Sequence, residues 1–313
     1  MELFKPQNMR FDFASKFKLF FIVSMVLMAL SAISIFAPGI NYGIDFRGGV
    51  DAQIGVKPGA NLDISVLRNA VEAKLPGAAV VNFDTGNSSQ AFMVTAQSDS
   101  KEQVSTIIKE ALIPVIGPEG EKWSLDKLDI VGRKVGADLR KSAILSLIYT
   151  CLLISLYVYW RFDIRYAPGA LVTIFHDLLL TTGFIVLTGT EFSTTVVAAL
   201  LTLAGYTIND TVVIFDRIRE TEAKFLGRSK TQIANEALNS TLSRTFLTAG
   251  TVFISCLVLY FVGGPSIRDF ALVLMFGLIV GSYSSLYIAS PLYVWTDDYF
   301  SNKNKTQTTP SKA

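Results

Sequence analysis

The chain has 313 residues, of which 50% are hydrophobic, and its formal net charge is +2. The hydrophobic residues are gathered in runs of about 20, the length that crosses a hydrocarbon core of ~30 Å, which excludes a soluble enzyme. Two cysteines, both inside apolar runs, exclude a disulfide framework, and a single histidine leaves too few ligands for a metal site. We expect neither a metal nor a cofactor.

Six apolar runs are long enough to be transmembrane helices. They are Leu19–Ala37, Ser142–Trp160, Pro168–Thr190, Ser193–Phe215, Thr245–Gly264 and Phe270–Trp295. Basic residues precede the first run as they would in a signal peptide, but its apolar stretch is too long and Pro38 makes a poor cleavage site. We therefore expect a retained first helix and a polytopic α-helical membrane protein.

Lysine and arginine are concentrated in the segments that lie on one side of these spans. With the N-terminus inside, the short inner segments hold fifteen basic residues and the short outer loops hold one, Arg268. Another twelve lie in 38–141, which is long enough to be translocated whatever its charge. The positive-inside rule therefore predicts that both termini are cytoplasmic. Because the basic residues lie at helix ends, we expect no nucleic-acid partner.

Residues 38–141, between the first two spans, have the composition of a soluble domain, with 12 basic and 13 acidic side chains. Their pattern predicts a strand, a helix capped by Asn61, two strands around the turn DTGNSSQ, a second helix and a last strand. The predicted ranges are Gly49–Lys57, Asn61–Leu75, Ala78–Phe83, Ala91–Ala96, Ser100–Ile113 and Leu125–Val131. The order β-α-β-β-α-β predicts a ferredoxin-like α+β domain on the periplasmic side.

The remaining segments are shorter. Residues 1–18 form a cytoplasmic N-terminal segment before the first helix (19–37), and residues 142–296 hold the other five helices. In the cytoplasmic loop 216–244, Ser229 and Gln232 form a capping box, which predicts a short surface helix before the fifth span. Residues 297–313 are polar and are predicted to be a disordered cytoplasmic tail.

Asp210 lies within the fourth apolar run, in the sequence AGYTINDTVVIFDRIRE. An aspartate near the centre of a membrane helix costs about 2.5–3.5 kcal/mol on insertion scales. At helical spacing Asp210 shares a polar stripe with Tyr206, and Asn209 lies beside it, so this side must face protein or water. Two interpretations stay open: an interhelical hydrogen bond that fixes packing, and a proton carrier whose protonation changes with conformation.

Other spans carry further ionisable groups. Arg244 opens the fifth span and is either a positive-inside anchor or a partner that reaches Asp210, if the two helices touch. Asp177 lies near the midplane of the third span, and the adjacent His176 is expected to point about 100° away from it. For His176 alone, a helix–helix hydrogen bond is the simpler explanation. Two buried acids on neighbouring helices nevertheless favour a proton relay.

Several long motifs follow one another along the chain, each on a predicted element. NYGIDFRGG follows the first helix, EFSTTVVAALLTLAGYTINDTVVIFDRIRE crosses the fourth span, LSRTFLTAG opens the fifth, and IRDFALVLMFGLIVGSYSSLYIASPL belongs to the sixth. In these motifs the chain resembles the SecF family of the bacterial Sec protein-export machinery. The resemblance covers most of the membrane part, whereas the soluble segment matches in size and in its opening motif.

The resemblance implies a six-helix half of a resistance-nodulation-division-type fold that pairs with SecD in the bacterial inner membrane. Such pairs use the proton-motive force to help move unfolded secretory polypeptides through the SecYEG channel and its accessory subunits. The partners implied are therefore SecD, the channel, the exported chain and membrane lipid. The function implied is that of a translocase subunit with no catalytic residue of its own.

The resemblance also assigns roles to residues. The aspartate of INDT and the arginine of LSRT, which are Asp210 and Arg244, are implicated in proton flow. The HD pair of the third span, His176 and Asp177, belongs to the same expected relay, and Asn209 is expected to hold the neutral or paired form of Asp210. In the motif GIDFRGG, the two glycines Gly48 and Gly49 suit a tight turn and Asp45 has a structural role. Thr207 stands where relatives often have serine, which preserves the hydroxyl.

Rival functions are a proton-coupled small-molecule or lipid exporter of the same superfamily, and a passive scaffold for SecD and the channel. The exporter is disfavoured because the chain has one modest outer domain and a single six-helix half. The scaffold would tolerate the change Asp210→Asn, and a proton carrier would not. An intramembrane hydrolase lacks a nucleophile–base pair.

Overall fold

The computed structural model describes residues 11–57, 59–60, 62–84, 90–98, 100–225 and 227–307. In chain order the elements are α1 (Phe17–Phe36), α2 (Ile44–Arg47), β1 (Gly49–Val56), α3 (Ile64–Glu72), β2 (Ala79–Asp84), β3 (Gln90–Ala96), α4 (Lys101–Ile116), β4 (Trp123–Val131), α5 (Arg133–Arg161), α6 (Ala167–Thr188), α7 (Thr194–Lys224), α8 (Lys230–Val262), α9 (Pro265–Ser284) and α10 (Ser290–Gln307). A 3₁₀ turn, Ala14–Lys16, leads into α1, and a π-helical turn, Ser285–Ala289, joins α9 to α10.

Six helices of the described chain are long and apolar enough to cross a membrane. They are α1, α5, α6, α7, α8 and a last helix made of α9, the π turn and α10. The predicted polytopic helical fold is confirmed. Inside the bundle α7 packs against α5, α6, α8 and α9, so side chains on α7 can meet groups from most of the other spans.

Two helices extend well beyond the apolar runs that predict them. α7 continues to Lys224, and α8 begins at Lys230 with Ser229 as its cap, whose Oγ accepts a hydrogen bond from the Gln232 backbone N–H at 3.3 Å. Ser229 therefore caps the helix where the sequence predicts it, through the first of the two hydrogen bonds of a capping box. The surface helix expected after it is the first part of α8 and not a separate element, because polar turns continue an α-helix past the hydrocarbon boundary.

The last helix also departs from the sequence-based prediction. α10 continues to Gln307, so the predicted disordered tail is wrong for 297–307. Asp297 helps to explain why the chain stays helical there. Its carboxylate pairs with Arg165 at 2.5 Å and with Lys230 at 3.4 Å and so holds the helix against its neighbours. Residues 308–313 of the predicted tail lie outside the described residues.

A small α+β module lies between α1 and α5. Its elements follow the order β1-α3-β2-β3-α4-β4, and the strands form one antiparallel sheet in the order β2-β3-β1-β4. Alternate residues of β1 point into a core against α3 and α4, where Ile54, Leu67 and Ile108 are fully buried. Asp63 caps α3 by accepting from the Ser65 N–H at 2.7 Å. The predicted cap Asn61 and the predicted turn at 85–89 lie outside the described residues.

The module is attached to the bundle by the segment between α1 and β1. Tyr42 forms an isolated parallel bridge with Phe192, which lies just before α7, and Phe46 of α2 is buried in the same apolar cluster. α2 itself packs against α5. The base of the module is therefore tied to two of the membrane-spanning helices.

Candidate functional site

Asp210 lies about halfway along α7, on the side that faces α8 and α9. Its carboxyl is half-buried, and Thr248 Oγ1 of α8 donates a long hydrogen bond of 3.4 Å to Oδ1. Beside it is a narrow cleft of about 10 Å³, roughly the room that one water molecule needs. The cleft is lined by Leu203, Tyr206, Thr207, Asn209, Asp210, Thr248, Ala249, Leu278, Gly281 and Ser282. Asp210 therefore has access to water-sized space inside the bundle.

Arg244 lies on α8 near Asp210 but does not contact it. Its side chain is exposed, and within the described chain no ion pair joins it to Asp210, although its charge acts on the carboxyl electrostatically. The helices α7 and α8 do touch, as the predicted pair requires. Arg244 is exposed and Asp210 is only partly buried, so neither group is enclosed by other side chains, and their pairing stays a prediction.

Thr248 is a residue of this site that sequence reasoning missed. Its hydroxyl is within hydrogen-bond distance of three acceptors: Asp210 Oδ1, the Arg244 carbonyl oxygen at 3.0 Å and the Thr245 carbonyl oxygen at 3.1 Å. One hydroxyl has one hydrogen, so it can donate to the carboxyl or to its own helix, but not to both. The signal was its place one helical turn after Arg244 in LSRTFLTAG.

Asn209 does not support Asp210 in the expected way. Its side chain lines the cleft but is exposed, and no hydrogen bond to Asp210 is found among the described residues. Adjacent helical residues point in different directions, and the hydrogen-bonding position beside the carboxyl belongs to Thr248. The exposed side chains of Tyr206 and Asn209 lie on a side of α7 that this chain leaves uncovered.

Asp177 of α6 is fully buried in the bundle and is held by two side chains. His176 Nδ1 lies 2.8 Å from Oδ1, and Ser284 Oγ of α9 donates to Oδ2 at 2.8 Å. The expectation that His176 points away from Asp177 is therefore wrong. Both side chains are buried, and the mutual hydrogen bond satisfies polar atoms that would otherwise lack partners. His176 Nε2 has no hydrogen-bond partner in the described structure.

The two carboxyls are not bonded to each other, but the same small region borders both. Gly281 of α9 lines the cleft beside Asp210, and a Cβ atom built on Gly281 would lie 3.6 Å from Asp177 Oδ2. Thr207 of α7 also lines that cleft and faces Asp177. The structure thus brings together Asp210, Asp177 and His176, with Arg244 at the edge of the group.

The residues of the GIDFRGG motif form the base of the module, away from these carboxyls. Asp45 Oδ2 accepts hydrogen bonds from the backbone N–H of Thr194 at 2.8 Å and from its Oγ1 at 2.6 Å, at the first residue of α7. Gly48 and Gly49 have φ angles of +76° and +140°, in the region that favours glycine. Within the described part of the chain, no group of three or more His, Cys, Asp or Glu side chains is placed to bind a metal ion.

The protein is a multi-pass α-helical membrane protein with ionisable groups inside its bundle. It has six spans, a module inserted after the first span, and carboxyls buried between helices. Residues 116–298 match the family model "Protein export membrane protein SecD/SecF, C-terminal", and residues 33–60 match the SecD/SecF GG motif. The chain belongs to the SecD/SecF family, and the resemblance drawn from the sequence is confirmed.

Individual relatives agree with this assignment. The protein translocase subunit SecF of Calditerrivibrio nitroreducens is 39% identical over 93% of this chain and 95% of its own length. The corresponding subunit of Magnetococcus marinus is 36% identical over 92% of each chain. A crystal structure of SecDF, a translocon-associated membrane protein from Thermus thermophilus, is similar with a TM-score of 0.82 and 32% identity. That match covers 93% of this chain and 39% of the SecDF chain.

Proposed function

We propose that this protein is a SecF-like subunit of the Sec protein-export machinery that works with SecD. In this proposal the pair uses the proton-motive force to drive late translocation of secretory proteins across the bacterial inner membrane. Family membership and the names of the relatives support a role in protein export. The SecDF relative, of which this chain covers about two fifths, supports SecD as the partner.

The observation that carries the proton-driven part is the Asp210 carboxyl, which is half-buried between spans and forms no ion pair within the described residues. A neutral, protonated Asp210 needs no cation, whereas an ionised Asp210 attracts Arg244 and competes for the Thr248 hydrogen. Gain and loss of one proton would therefore favour two different arrangements of α7 and α8. Moving one charge across the membrane supplies about 2.3 kcal/mol per 100 mV, enough to shift such an equilibrium more than tenfold.

The module transmits this movement to the exported chain in the same proposal. The strand and helix order and the sheet order β2-β3-β1-β4 support a ferredoxin-like fold. The excess of basic residues in the short segments on the side of the termini supports a periplasmic module and cytoplasmic termini. Since Asp45 is bonded to Thr194 at the start of α7, a shift of α7 reaches the base of the module directly.

The expected partners follow from this arrangement. They are SecD, the SecYEG channel with its accessory subunits, the unfolded secretory polypeptide on the periplasmic side, and membrane lipid. The exposed polar side of α7 at Tyr206 and Asn209 is a surface that a second membrane subunit would cover, because lipid tails cannot satisfy its polar groups.

The experiment is the change Asp210→Asn, at matched expression and with SecD co-purification confirmed. We expect the complex to remain intact while export of a secretory precursor into membrane vesicles loses its dependence on the proton-motive force. The matched control is Asp216→Asn on the same helix, where the acid forms surface ion pairs with Arg161 and Arg219. Normal export of the precursor by the Asp210→Asn variant would instead favour the passive scaffold. Normal export of the precursor together with altered efflux of small molecules or lipids would favour the exporter.

A further inference from the structure

We propose that the Thr207 hydroxyl connects Asp210 to Asp177, so that a proton taken up at one carboxyl passes to the other through the gap at Gly281. This inference rests on the proposed proton-driven function and adds a residue and a direction to it. It depends on three observations: the state of the Thr207 hydroxyl, the position of Gly281 and the way in which Asp177 is held.

The Thr207 hydroxyl is unusual among the threonines of the bundle. Thr207 is one helical turn before Asp210 on α7 and is 3% exposed; its Oγ1 makes no hydrogen bond of ordinary geometry in the described structure but lies near enough to the Asp177 carboxyl to interact with it. Buried hydroxyls are ordinarily hydrogen-bonded. Most membrane-helix threonines here satisfy that requirement by bonding to a carbonyl of the preceding turn, as Thr202, Thr173 and Thr211 do.

Thr207 makes no such bond to its own helix, although it is as able to do so as Thr211, which is one turn away. Its hydroxyl therefore retains both a hydrogen to donate and lone pairs to accept. Thr181 and Thr245 also have unpartnered hydroxyls, but neither of them lines the cleft beside Asp210. Thr207 alone combines a free hydroxyl with a place between the two acids, within the part of the chain that the structure describes.

Gly281 creates the gap through which Thr207 meets Asp177. A Cβ atom built on Gly281 would lie 2.8 Å from Thr207 Oγ1 and 3.6 Å from Asp177 Oδ2. The two oxygens thus border the same point, which is empty because α9 has a glycine there. Any larger residue would push the hydroxyl away, so the close approach of α7 to α9 depends on this glycine.

Ser284, one helical turn after Gly281, keeps the second carboxyl directed at this gap. Its Oγ donates to Asp177 Oδ2 at 2.8 Å, and the other oxygen of the carboxyl is held by His176. On the opposite side, Thr207 and Asp210 both line the cleft that has room for about one water molecule. The sequence of groups is therefore Asp210, one water, Thr207, Asp177 and His176.

The transfer along these groups balances without any further reactant. Protonated Asp210 gives its proton to the water in the cleft, the water gives a proton to Thr207 Oγ1, and Thr207 gives its original hydroxyl proton to the Asp177 carboxylate. Asp210 ends ionised, Asp177 ends protonated, and both the water and Thr207 are unchanged. The reverse order of steps returns the proton. Ionised Asp210 is then the form that attracts Arg244.

The test compares four variants in the intact complex with SecD, reconstituted in vesicles with an imposed proton gradient. Thr207→Val keeps the shape and removes the hydroxyl; Thr207→Ser keeps the hydroxyl; Gly281→Ala keeps the hydroxyl but fills the gap. Thr211→Val is the matched control, since it removes a buried threonine hydroxyl on the same helix that serves only its own backbone. The readouts are gradient-driven export and proton flux followed with a pH-sensitive dye.

We expect Thr207→Val and Gly281→Ala to lower both readouts by about a hundredfold or more, as loss of a proton-transfer group does. Thr207→Ser and Thr211→Val should remain within about twofold of the unmodified protein, because serine restores the transfer group and Thr211 is outside the route. Rescue by serine separates a relay from a packing role. If Thr207→Val does not accumulate, Gly281→Ala and Thr207→Ser still give opposite expected results.

Three outcomes would overturn the inference, and they differ in what they imply for the proposed function. Unchanged proton flux in Thr207→Val, with flux lost in Asp210→Asn, would remove Thr207 from the route and leave the proposed function intact. Unchanged flux and export in Asp210→Asn itself would remove the proposed function and the relay together. Equal losses in Thr207→Ser and Thr207→Val would assign Thr207 a packing role.

Discussion

Two carboxyls in one bundle have different surroundings, and the difference separates their roles. Asp177 is fully buried and both of its oxygens are held, by His176 and Ser284. Asp210 is half-buried and has one long hydrogen bond, from Thr248. A group with few fixed partners can change its protonation without breaking a network, whereas protonation of a fully held carboxylate must rearrange the hydrogen bonds that hold it. In the proposed mechanism we therefore expect titration of Asp210 to start the movement and Asp177 to accept the proton that Asp210 releases.

The residue whose conformation is most constrained at the base of the module is Gly49. Its φ of +140° is a conformation that other residues avoid, and an added Cβ would lie 2.7 Å from the Ala96 carbonyl oxygen of the neighbouring strand. Both effects oppose the change Gly49→Ala, which we expect to destabilise the module by about 1–3 kcal/mol. Hydrogen exchange of β1 and β3 in the full-length protein measures this loss.

Gly132 provides the matched control for that change. It also lies at the base of the module, but its φ is −66° and no atom lies within 4 Å of an added Cβ. Gly132→Ala should leave the exchange rates of β1 and β3 unchanged. If the amides of β1 and β3 exchanged as slowly in Gly49→Ala as in Gly132→Ala, the positive φ and the close contact at Gly49 would not affect the stability of the module.

At the scale of elements, ion pairs join the ends of several helices on the side of the chain termini. We call this group the terminal clamp; it consists of Arg165, Glu222, Lys230, Tyr293 and Asp297. Arg165 and Lys230 both pair with Asp297, while Lys230 and the Tyr293 hydroxyl both bond to Glu222. The clamp therefore links the loop before α6 to α7, α8 and α10 through polar contacts, in addition to the apolar packing between these helices.

Removing the central acid of the terminal clamp should be costly. Asp297 is 6% exposed, so the change Asp297→Ala leaves the Arg165 cation partly buried and without its closest partner. Breaking a buried pair costs about 3–5 kcal/mol, and the partial exposure of Arg165 places the expected loss at the lower end. The thermal midpoint of the purified full-length protein in detergent should fall accordingly.

Asp163→Ala is the control within the same group of charges. Asp163 also pairs with Arg165, at 2.7 Å, but its side chain is 66% exposed, and exposed ion pairs contribute about 0–1 kcal/mol. The thermal midpoint should change little. Equal midpoints for the two variants would show that the terminal clamp does not hold the helices together.

Another element-scale feature is the π turn in the last span. The apolar run Phe270–Trp295 predicts one uninterrupted helix, whereas Ser285–Ala289 has π geometry directly after Ser284. Hydrophobic periodicity cannot detect one wide turn inside an apolar span. An α-helix and a π turn place the same apolar or small residues there, so the sequence pattern is the same for both. π turns are frequent at functional sites, and this one lies beside the serine that holds Asp177. It allows the helix to change register there.

For the whole molecule, local sequence determines a great deal of the architecture and less of the site. Runs of apolar residues predict the six spans because burial in lipid requires long, uninterrupted apolar segments. Asp210, Asp177 and Arg244 can be predicted as candidate site residues from their charge and their depth in the apolar runs alone. Their partners are harder to predict, because Ser284 is 107 residues from Asp177 in the chain, and Thr248, 38 residues from Asp210, is indicated only by its place one helical turn after Arg244. Such pairs follow from the packing of helices, which periodicity does not specify.

The contact between module and bundle provides a prediction about pH. A cavity of about 610 Å³ lies between them, lined by module residues such as Asp51 and by loop residues such as Glu191. Burial raises the pKa of Glu191, and Asp51, Asp269 and Asp45 add to the rise, whereas Arg47 opposes it. Burial likewise raises the pKa of Asp51. Ionised carboxylates therefore repel each other across this cavity.

The sign of the pH dependence follows from these directions. Because the pKa of Glu191 is above its ordinary value of 4.5 in the folded protein, the folded state binds more protons than the unfolded state in the interval between the two values. Stability contributed by this group is present at low pH and is lost as the pH rises through the folded pKa. The module should thus be held more tightly against the bundle in an acidic medium.

The variant Glu191→Gln isolates this effect, since glutamine is neutral at every pH. We expect its thermal midpoint to exceed that of the unmodified protein at pH about 7, and the difference to shrink as the pH falls and to vanish below the ordinary glutamate pKa of 4.5. Glu119→Gln is a control of opposite sign, because the hydrogen bond from Lys109 lowers the pKa of Glu119. It should lower the midpoint at neutral pH. If Glu191→Gln were instead the less stable form at neutral pH, the attraction of Arg47 for the carboxylate would outweigh burial and repulsion, and acid would loosen the module rather than hold it.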